Sequence, residues 1–600
     1  MKSLIPLYKH LLIDASRWCR ASTIRDLQTI TDRVEQEGQS FITITLPRFC
    51  SDFEKALADA QIAPSAFLGF KKTGALPSFL RGLTEQVFDQ KSGALLDNPD
   101  VIAIFFIRQV CLYAKKILLP CTEKRTRAAF LQYVQCELDV QRANLVIHSS
   151  NLKRFEDVSR LLFGNVLAKI NEEVEAGTLI PRHGPGKTAD RLIGNRKFEL
   201  RRWTKRLESN FFPLADFVIP NYGFYDNLQT IDVQDPGTEQ PVKVVCVPKT
   251  LKAPRIIAME PAHMQYAQQA LLELFVKYLE CDKLIGKMVR FTDQIPNQSL
   301  AQKGSMSGDF ATLDLSEASD RVSLRLVSRL LKPYPALLRA VMACRSQRAD
   351  VPGFGVIHLS KFASMGSALC FPLEAMVFLT IVFCGFTDSP NVPLTFARVK
   401  SFDESVRVFG DDIIVPTDKA QTVIDWLHTF GMKVNITKSF WTGKFRESCG
   451  GEYYAGVSVK PIRLTMPLPD NRRDAEEFIA LVSHRNQLYE AGLWSTTQYI
   501  DSVLERLSPF PTVGRDSSAL GRWSFLRQLS EERWDSSLQR WLVKAAVVDA
   551  KAPVSRLDDY GALMKFFLKR GDEPIYSKNH LERAGRPNSV DTRVRWVSSI

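Results

Sequence analysis

One stretch constrains the fold more than any other: Val406-Arg407-Val408-Phe409-Gly410-Asp411-Asp412-Ile413-Ile414-Val415. Two apolar, β-branched runs flank Gly-Asp-Asp, the pattern of strand, tight turn, strand. Gly410 tolerates the positive φ that a hairpin tip asks for. The tip then carries two adjacent carboxylates beside buried strands. A carboxylate in so apolar a setting is costly without a partner. Mg²⁺ suits the role, because it prefers carboxylate oxygen and keeps positions open for phosphate. Strand side chains alternate, so Asp411 and Asp412 do not share one ligand easily. Asp411 is expected as the main ligand and Asp412 as the helper. Gly and Asp also make ordinary surface turns, so the tip needs support from elsewhere in the chain.

That support lies upstream, in Gly308-Asp309-Phe310-Ala311-Thr312-Leu313-Asp314-Leu315-Ser316-Glu317-Ala318-Ser319-Asp320-Arg321-Val322. Residues 310–313 read as a strand with Asp314 at its end. Residues 316–320 suit a turn into a helix over 324–331. A carboxylate at a strand end, beside a hairpin tip, can assemble a two-metal site. Asp309 and Asp320 compete for the role. Asp309 sits at the strand's start, and Asp320 lies beyond it, better placed for a sugar.

Charge narrows the partner. The 600 residues carry a formal charge of +13 and a pI near 9.1, which favours a polyanion and nucleic acid first. With 45% hydrophobic and 24% charged residues the chain is globular and large enough for several subdomains. Eleven scattered cysteines include no Cys-x-x-Cys, so free thiols in a reducing cytosol are expected. The N-terminus begins like a signal n-region but breaks at Lys9-His10 and Asp14. The longest apolar runs, 101–107 and 375–386, fall short of the roughly 18 residues that span a bilayer.

Along the chain, residues 1–150 read as mostly helical, with a strand over 41–46 and a capped helix start at Ser51. Residues 151–176 continue in helical periodicity. Gly186-Lys187-Thr188 lacks the first glycine of a phosphate loop, Pro181 standing there. It reads instead as a Gly/Pro loop whose Arg182 and Lys187 can touch phosphate. Residues 196–206 hold six cations in eleven residues, and Arg201 and Arg202 can lie along an RNA backbone; a solvated helix face is the plain alternative. Residues 213–241 are turn-rich. Two strand-like runs over 244–258 bracket Lys249, Lys252 and Arg255, cations able to clamp a triphosphate. The loop Ser364-Met365-Gly366-Ser367-Ala368 enters an apolar helix over 369–383 and can offer backbone N–H groups to a sugar-phosphate. A helix over 420–430, a short strand over 432–436, Lys438, and a second hairpin over 448–457 follow. Residues 470–600 are expected to return to helix, with a cation-rich end.

Taken in order, these elements resemble the palm of template-dependent RNA polymerases. They are more similar to the replicase β-subunit of the single-stranded RNA bacteriophages, the leviviruses. The stretches that carry the resemblance are Val247-Pro248-Lys249 with Arg255-Ile256-Ile257-Ala258-Met259-Glu260-Pro261, Leu313 to Asp320, Ser364-Met365-Gly366, Phe409-Gly410-Asp411-Asp412, Phe445-Arg446-Glu447-Ser448-Cys449-Gly450, and His183-Gly184-Pro185-Gly186. The resemblance runs from about residue 180 to 465. It implies an α+β right hand of fingers, palm and thumb, with an antiparallel palm sheet and helix-rich ends. The implied regions are an N-terminal helical part and some of the fingers at 1–180, fingers with the basic loop at 181–299, the palm at 300–465 (catalytic part 300–444), and a helical thumb and C-terminal region at 466–600.

The resemblance further implies two Mg²⁺ ions held by Asp314, Asp411 and Asp412. It makes Lys438 a proton donor to pyrophosphate. Lys249, Lys252 and Arg255 would grip the triphosphate. Asp320, Ser364, Gly366 and Ser367 would sense the ribose, and Cys449, Gly450 and Gly451 would support the growing 3′ end. Two departures stand out: Ser319 occupies the place of a second aspartate, and no asparagine lies between Ser364 and Phe383. Implied partners are RNA template and product, nucleoside triphosphates, host elongation factors Tu and Ts and a small-subunit ribosomal protein, with no DNA and no membrane. The implied location is the cytoplasm of an infected bacterium. The expected activity is RNA-directed RNA polymerase. A reverse transcriptase shares the palm, and a basic RNA-binding protein explains +13 but not the ordered carboxylates.

Overall fold

The computed structural model describes residues 4–551, apart from 185, 193–196, 199, 220–221, 387–393 and 527, together with 562–563, 566 and 589–600. Part of the basic segment 196–206 and most of the cation-rich end therefore lie outside the described residues.

The N-terminal part is helical, as its periodicity requires. Helix α1 (Ile5–Cys19) turns Leu7, Tyr8, Leu11, Leu12 and Ala15 inward, the spacing of one apolar face. The expected strand over 41–46 is absent. Phe41–Thr45 make a π-helical turn that runs straight into α2 (Leu46–Asp59). The alternation in the sequence loses to a longer pattern: Leu46, Phe49, Phe53 and Leu57 recur at helical period and are all buried. The helix start expected at Ser51 is corrected too. Ser51 lies inside α2, where its hydroxyl donates back to the Pro47 carbonyl at 3.2 Å. Helices α3 (Val101–Leu112), α4 (Glu123–Val146) and α5 (Ser149–Glu175) follow.

Strands β1 (Val242–Val247) and β2 (Arg255–Met259) pair antiparallel around the basic loop, as their two β-branched runs predict. They join Arg348–Val351 and Gly355–His358 in one four-stranded sheet. Strand β3 (Phe310–Ser316) belongs to a second sheet. Asp314 therefore lies within the strand rather than at its end. Helix α6 (Cys370–Cys384) is buried almost all round, which accounts for its lack of a polar face. Strands β4 (Arg407–Phe409) and β5 (Asp412–Pro416) form the expected hairpin. With β3 and β6 (Lys433–Val434) they give the order β4-β5-β3-β6. A second hairpin, β7 (Phe445–Ser448) and β8 (Gly451–Tyr454), turns through Cys449 and Gly450.

The C-terminal part is only partly helical. Helices α7 (Ala475–Glu490) and α8 (Trp494–Glu505) match the expectation. Beyond them the chain becomes an antiparallel sheet, with β9 (Arg533–Asp535), β10 (Arg540–Lys551) and β11 (Ser589–Ser598). The helix-forming Ala and Lys of β10 are overruled by its long pairing with β11, in which Val543, Ala545 and Ala546 are buried.

The two largest of the five apolar cores among the described residues do not follow sequence order. One gathers residues from Ile147 to Val434 around α5, α6 and the β4-β5-β3-β6 sheet. The other unites residues 4–119 with 440–510. Buried Asp14 on α1 fixes part of that union. Its carboxylate accepts from the Ser495 and Thr496 N–H groups at 2.8 and 2.9 Å, at the start of α8.

Candidate active site

The Gly410–Asp411 turn is short because Phe409 and Asp412 are already paired. Gly410 has φ +58°, and a Cβ there would lie 2.7 Å from the Phe371 ring. Both facts demand glycine at that corner. On the other side of β5, Asp412 is the in-register partner of Asp314. Directly opposed residues project to the same face of a sheet, so this pairing puts the two carboxylates together, with Asp411 exposed on the adjoining turn.

Asp314 and Asp412 are half-buried, and each has protein partners. Asp314 accepts from Asn435 Nδ2 at 2.8 Å and from Lys438 Nζ at 3.3 Å. Asp412 accepts from the Cys449 N–H at 3.1 Å. Burial pushes Asp412 up to about 7, and the charge of Asp411 adds to it, against the Cys449 hydrogen bond. Burial also raises Asp314, with Asp411 opposing Lys438. Glu447 adds a further negative charge felt by Asp314, Asp412 and Lys438. Desolvation works against charge on Lys438, but Asp314 and Glu447 more than offset it and hold the ammonium above the usual lysine range.

The charge of Asp411 makes ionisation of both Asp314 and Asp412 costlier. That is the chemistry of a site completed by a hard cation, which would relieve the repulsion. Among the described residues, no three acidic, histidine or cysteine side chains are already closed around one point.

The basic loop reaches the same place. Desolvation, then the charges of Arg255 and Lys438, pull Lys249 below the usual lysine range, while Asp411 and Asp314 draw it upward. Lys249 thus joins the acidic cluster electrostatically, with Arg255 beside it. Lys252 is exposed on the loop. Asp320 and Ser364 meet: the Ser364 hydroxyl donates to Asp320 at 2.8 Å. The same carboxylate holds Lys361 at 3.0 Å, and Lys361 is wholly buried over the Tyr133 ring. Ser367 donates to Gln268 Oε1 at 3.0 Å. Gly366 has φ +132°, and the Ala258 carbonyl occupies the space a side chain would need. Cys449 and Gly450 both adopt positive φ, as a two-residue hairpin turn demands. Gly451 packs against Tyr453 and Gln298.

Arg201 and Arg202 stay exposed and apart from the carboxylates. Arg202 leans on Asp190 at 3.4 Å and on Gln240 at 2.9 Å. Arg182, read as a phosphate contact, is paired with Glu273 at 2.5 Å. Three contributors were missed. Asn435 and Lys361 contact sites already picked out, but nothing local in sequence points to their partners. Glu374, buried on α6, accepts from Ser319 Oγ at 2.6 Å and is pushed up to about 8, burial first among the causes. A charged residue inside an otherwise apolar helix was the available signal.

Residues 229–489 match the family model described as RNA replicase, beta-chain. The chain is similar to replicase β-chains of RNA phages. It is 37% identical over 227 residues to the RNA-directed RNA polymerase beta chain of Enterobacteria phage fr, a match covering 38% of this chain and 38% of the relative. It is 34% identical over 277 residues to the RNA-directed RNA polymerase subunit beta of Qbeta virus (strain MX1), covering 44% and 42%. The matches thus span less than half the length of these relatives. A solved BmCPV RNA-dependent RNA polymerase aligns over 60% of this chain and 34% of its own, with 10% identity and a TM-score of 0.36. The replicase match contains every strand of the β4-β5-β3-β6 sheet, the basic loop and both hairpins. Among the described residues no helix is long and apolar enough to cross a membrane.

Proposed function

We propose that this chain is the polymerase subunit of a phage replicase, copying RNA from nucleoside triphosphates on an RNA template. The observation that carries this reading is the in-register opposition of Asp314 and Asp412 across β3 and β5, with Asp411 on the joining turn. The β4-β5-β3-β6 sheet acts as the palm, the basic-loop region belongs to the fingers, and α7 and α8 to the thumb. Asp314, Asp411 and Asp412 would hold the divalent ions, with Mg²⁺ the expected metal and two the expected number. Bound there, the metal would lower the pKa of the attacking 3′-hydroxyl and neutralise the departing pyrophosphate.

The chain's own residues do the positioning. Lys249 and Arg255, next to the acidic cluster, receive the triphosphate, with Lys252 at the loop's outer edge. Lys438, held protonated by Asp314, keeps a proton available for the leaving pyrophosphate. Asp320 and Ser364 form one polar unit for the sugar. The Cys449–Gly450 turn, tied to Asp412, lies where a 3′ end would rest against Gly451. Host elongation factors Tu and Ts and a small-subunit ribosomal protein are the expected partners, in the bacterial cytoplasm.

The test is Mg²⁺-dependent incorporation of labelled nucleotide on an RNA template, wild type beside Asp411→Asn, with factors Tu and Ts co-expressed. Wild-type extension with NTPs but not dNTPs, lost in the variant while RNA binding persists, is the expected result. Equal activity of the two proteins would overturn the assignment of the turn.

A further inference from the structure

On one face of the C-terminal sheet Leu542, Ala546 and Thr592 are buried, while Val548 and a set of cations with Trp596 are exposed. The Thr592 hydroxyl donates to the Arg472 carbonyl at 2.9 Å just ahead of α7. Toward the other end, the exposed residues of the same face are Arg533, Arg540, Lys544 and Trp596. Their common face follows from register: Lys544 is opposite Trp596, Leu542 is opposite both Ser598 and Arg533, and Arg540 is opposite Asp535. Trp596 is 42% exposed. The Arg533 guanidinium reaches across β10 to lie 5.7 Å from its ring centre. None of the three cations forms an ion pair among the described residues. Two carboxylates lie nearby: Asp535, which feels the charge of Arg533, accepts from the Ser537 and Leu538 N–H groups at 3.0 and 3.1 Å, and Glu532 accepts from the Lys544 N–H at 3.3 Å.

A large indole held in water is costly to leave bare, and the like charges of Arg533, Arg540 and Lys544 on one face repel one another. Both costs are relieved by a flexible polyanion that carries flat rings. Single-stranded nucleic acid stacks bases on aromatic side chains while its phosphates meet Arg and Lys. A protein partner would satisfy the indole, but it would need a matching cluster of acids for the cations. On the opposite face of the same sheet end, Trp534 and Trp541 are paired across the strands, ring centres 5.5 Å apart, and are 50% and 40% exposed. Aromatic surface thus continues around the edge.

We propose that Arg533, Arg540, Lys544 and Trp596 form a second RNA-binding surface, separate from the carboxylate site, that takes single-stranded RNA by stacking a base on Trp596 between phosphate-binding cations. Naming RNA rather than another single-stranded polyanion rests on the polymerase reading above.

The test uses the full chain without NTPs or metal, and an unstructured RNA carrying 4-thiouridine, longer than an active site can cover. Photocrosslinks are mapped by mass spectrometry, and affinity is measured by anisotropy against salt. Crosslinks are expected in 533–544 and 589–598. Trp596→Ala should reduce them about tenfold, the scale of one lost base stack, and Trp596→Phe should retain most of them. Arg533→Gln with Arg540→Gln and Lys544→Gln should flatten the salt dependence by about two in log–log slope. Extension of a short primed template should be unchanged in all of these variants. Absence of crosslinks in these segments, or unchanged crosslinks in a folded Trp596→Ala chain, overturns the proposal. So does a protein that binds this face through Trp596 while RNA crosslinks stay as in wild type. Because crosslinking and anisotropy need no NTPs or metal, loss of the polymerase assignment through Asp411→Asn leaves the crosslinking result to stand or fall separately.

Discussion

Asp412 faces Asp314 residue to residue across β5 and β3, and Asp412 alone of the two is pinned by the neighbouring hairpin, through the Cys449 N–H at 3.1 Å. That asymmetry separates their roles. Asp314 is held by the Asn435 and Lys438 side chains, at 2.8 and 3.3 Å, which can turn with it, whereas a backbone N–H fixes Asp412. Asp314→Asn and Asp411→Asn should each lower nucleotide incorporation by about a thousandfold or more, the scale of removing a group that acts on developing charge. Asp412→Asn should cost less, about tenfold to a hundredfold, as for a group that orients others. Single-turnover incorporation at saturating Mg²⁺ measures this. Equal losses at all three positions would assign Asp412 the same role as the others.

Gly366 is needed for its lack of a side chain rather than for any contact it makes. The Ala258 N–H donates to the Met365 carbonyl at 2.9 Å, which draws the Ser364–Ala368 loop onto β2 and leaves no space for a Cβ at Gly366. Gly366→Ala must therefore push the loop off β2. Strain of this kind costs about 1–3 kcal/mol. The expected outcome is a rise of about tenfold in KM for nucleotide, with melting behaviour little changed. An unchanged KM would mean that the loop does not meet the nucleotide.

Arg108 ties the N-terminal helices to the second hairpin. It is buried, pairs with both Glu54 and Glu452, and donates from Nε to the Val459 carbonyl at 3.1 Å. Arg108→Met leaves buried Glu54 without its cation, while Glu452 keeps Arg463 at 2.6 Å, and should cost about 3–5 kcal/mol. Faster limited proteolysis between α3 and β7 is the expected readout. Adding Glu54→Gln should restore much of the resistance, because the uncompensated charge is then gone. A single variant as resistant as wild type would refute the ion cluster's role in joining the two parts.

How much of this was legible in sequence depends on the range over which each element is decided. The β4–β5 hairpin, the β1–β2 pair, α5 and α6 were readable, because glycine at the turn and long apolar periodicity act locally. Residues 41–46 misled because a six-residue alternation is weaker than the helical spacing that Phe49, Phe53 and Leu57 impose from outside it. β10 was missed because Ala and Lys favour helix, and its strand is made by partners far along the chain, from Lys551↔Ser589 to Leu542↔Ser598. At the site, the aspartates were legible as motifs. Asn435, Lys361 and Glu374 were not, since their roles exist only once distant strands and helices meet.

Glu260 offers a pH test away from the carboxylate site. It is fully buried at the end of β2 and accepts from Ser346 Oγ at 2.5 Å. Burial pushes its carboxyl from an ordinary 4.5 up to about 7, against hydrogen bonds from Ser346 and Gln268 and the charges of Arg345 and Arg206. A raised value means the folded chain holds this proton more tightly than the unfolded chain. The contribution is complete below about 4.5 and is lost as pH rises through about 7. Glu260→Gln removes the titration while keeping the hydrogen-bonding shape. Asp412, Glu374 and Asp26 are raised in the same direction, but they titrate in both proteins and cancel in the comparison. The melting midpoint of Glu260→Gln relative to wild type should therefore climb between pH 5 and about 7 and level off above it, by an amount no larger than roughly 3 kcal/mol. A difference that stays flat across this range, or that shrinks as pH rises, would show that Glu260 is ionised in the folded chain and held by Arg345 and Arg206 instead.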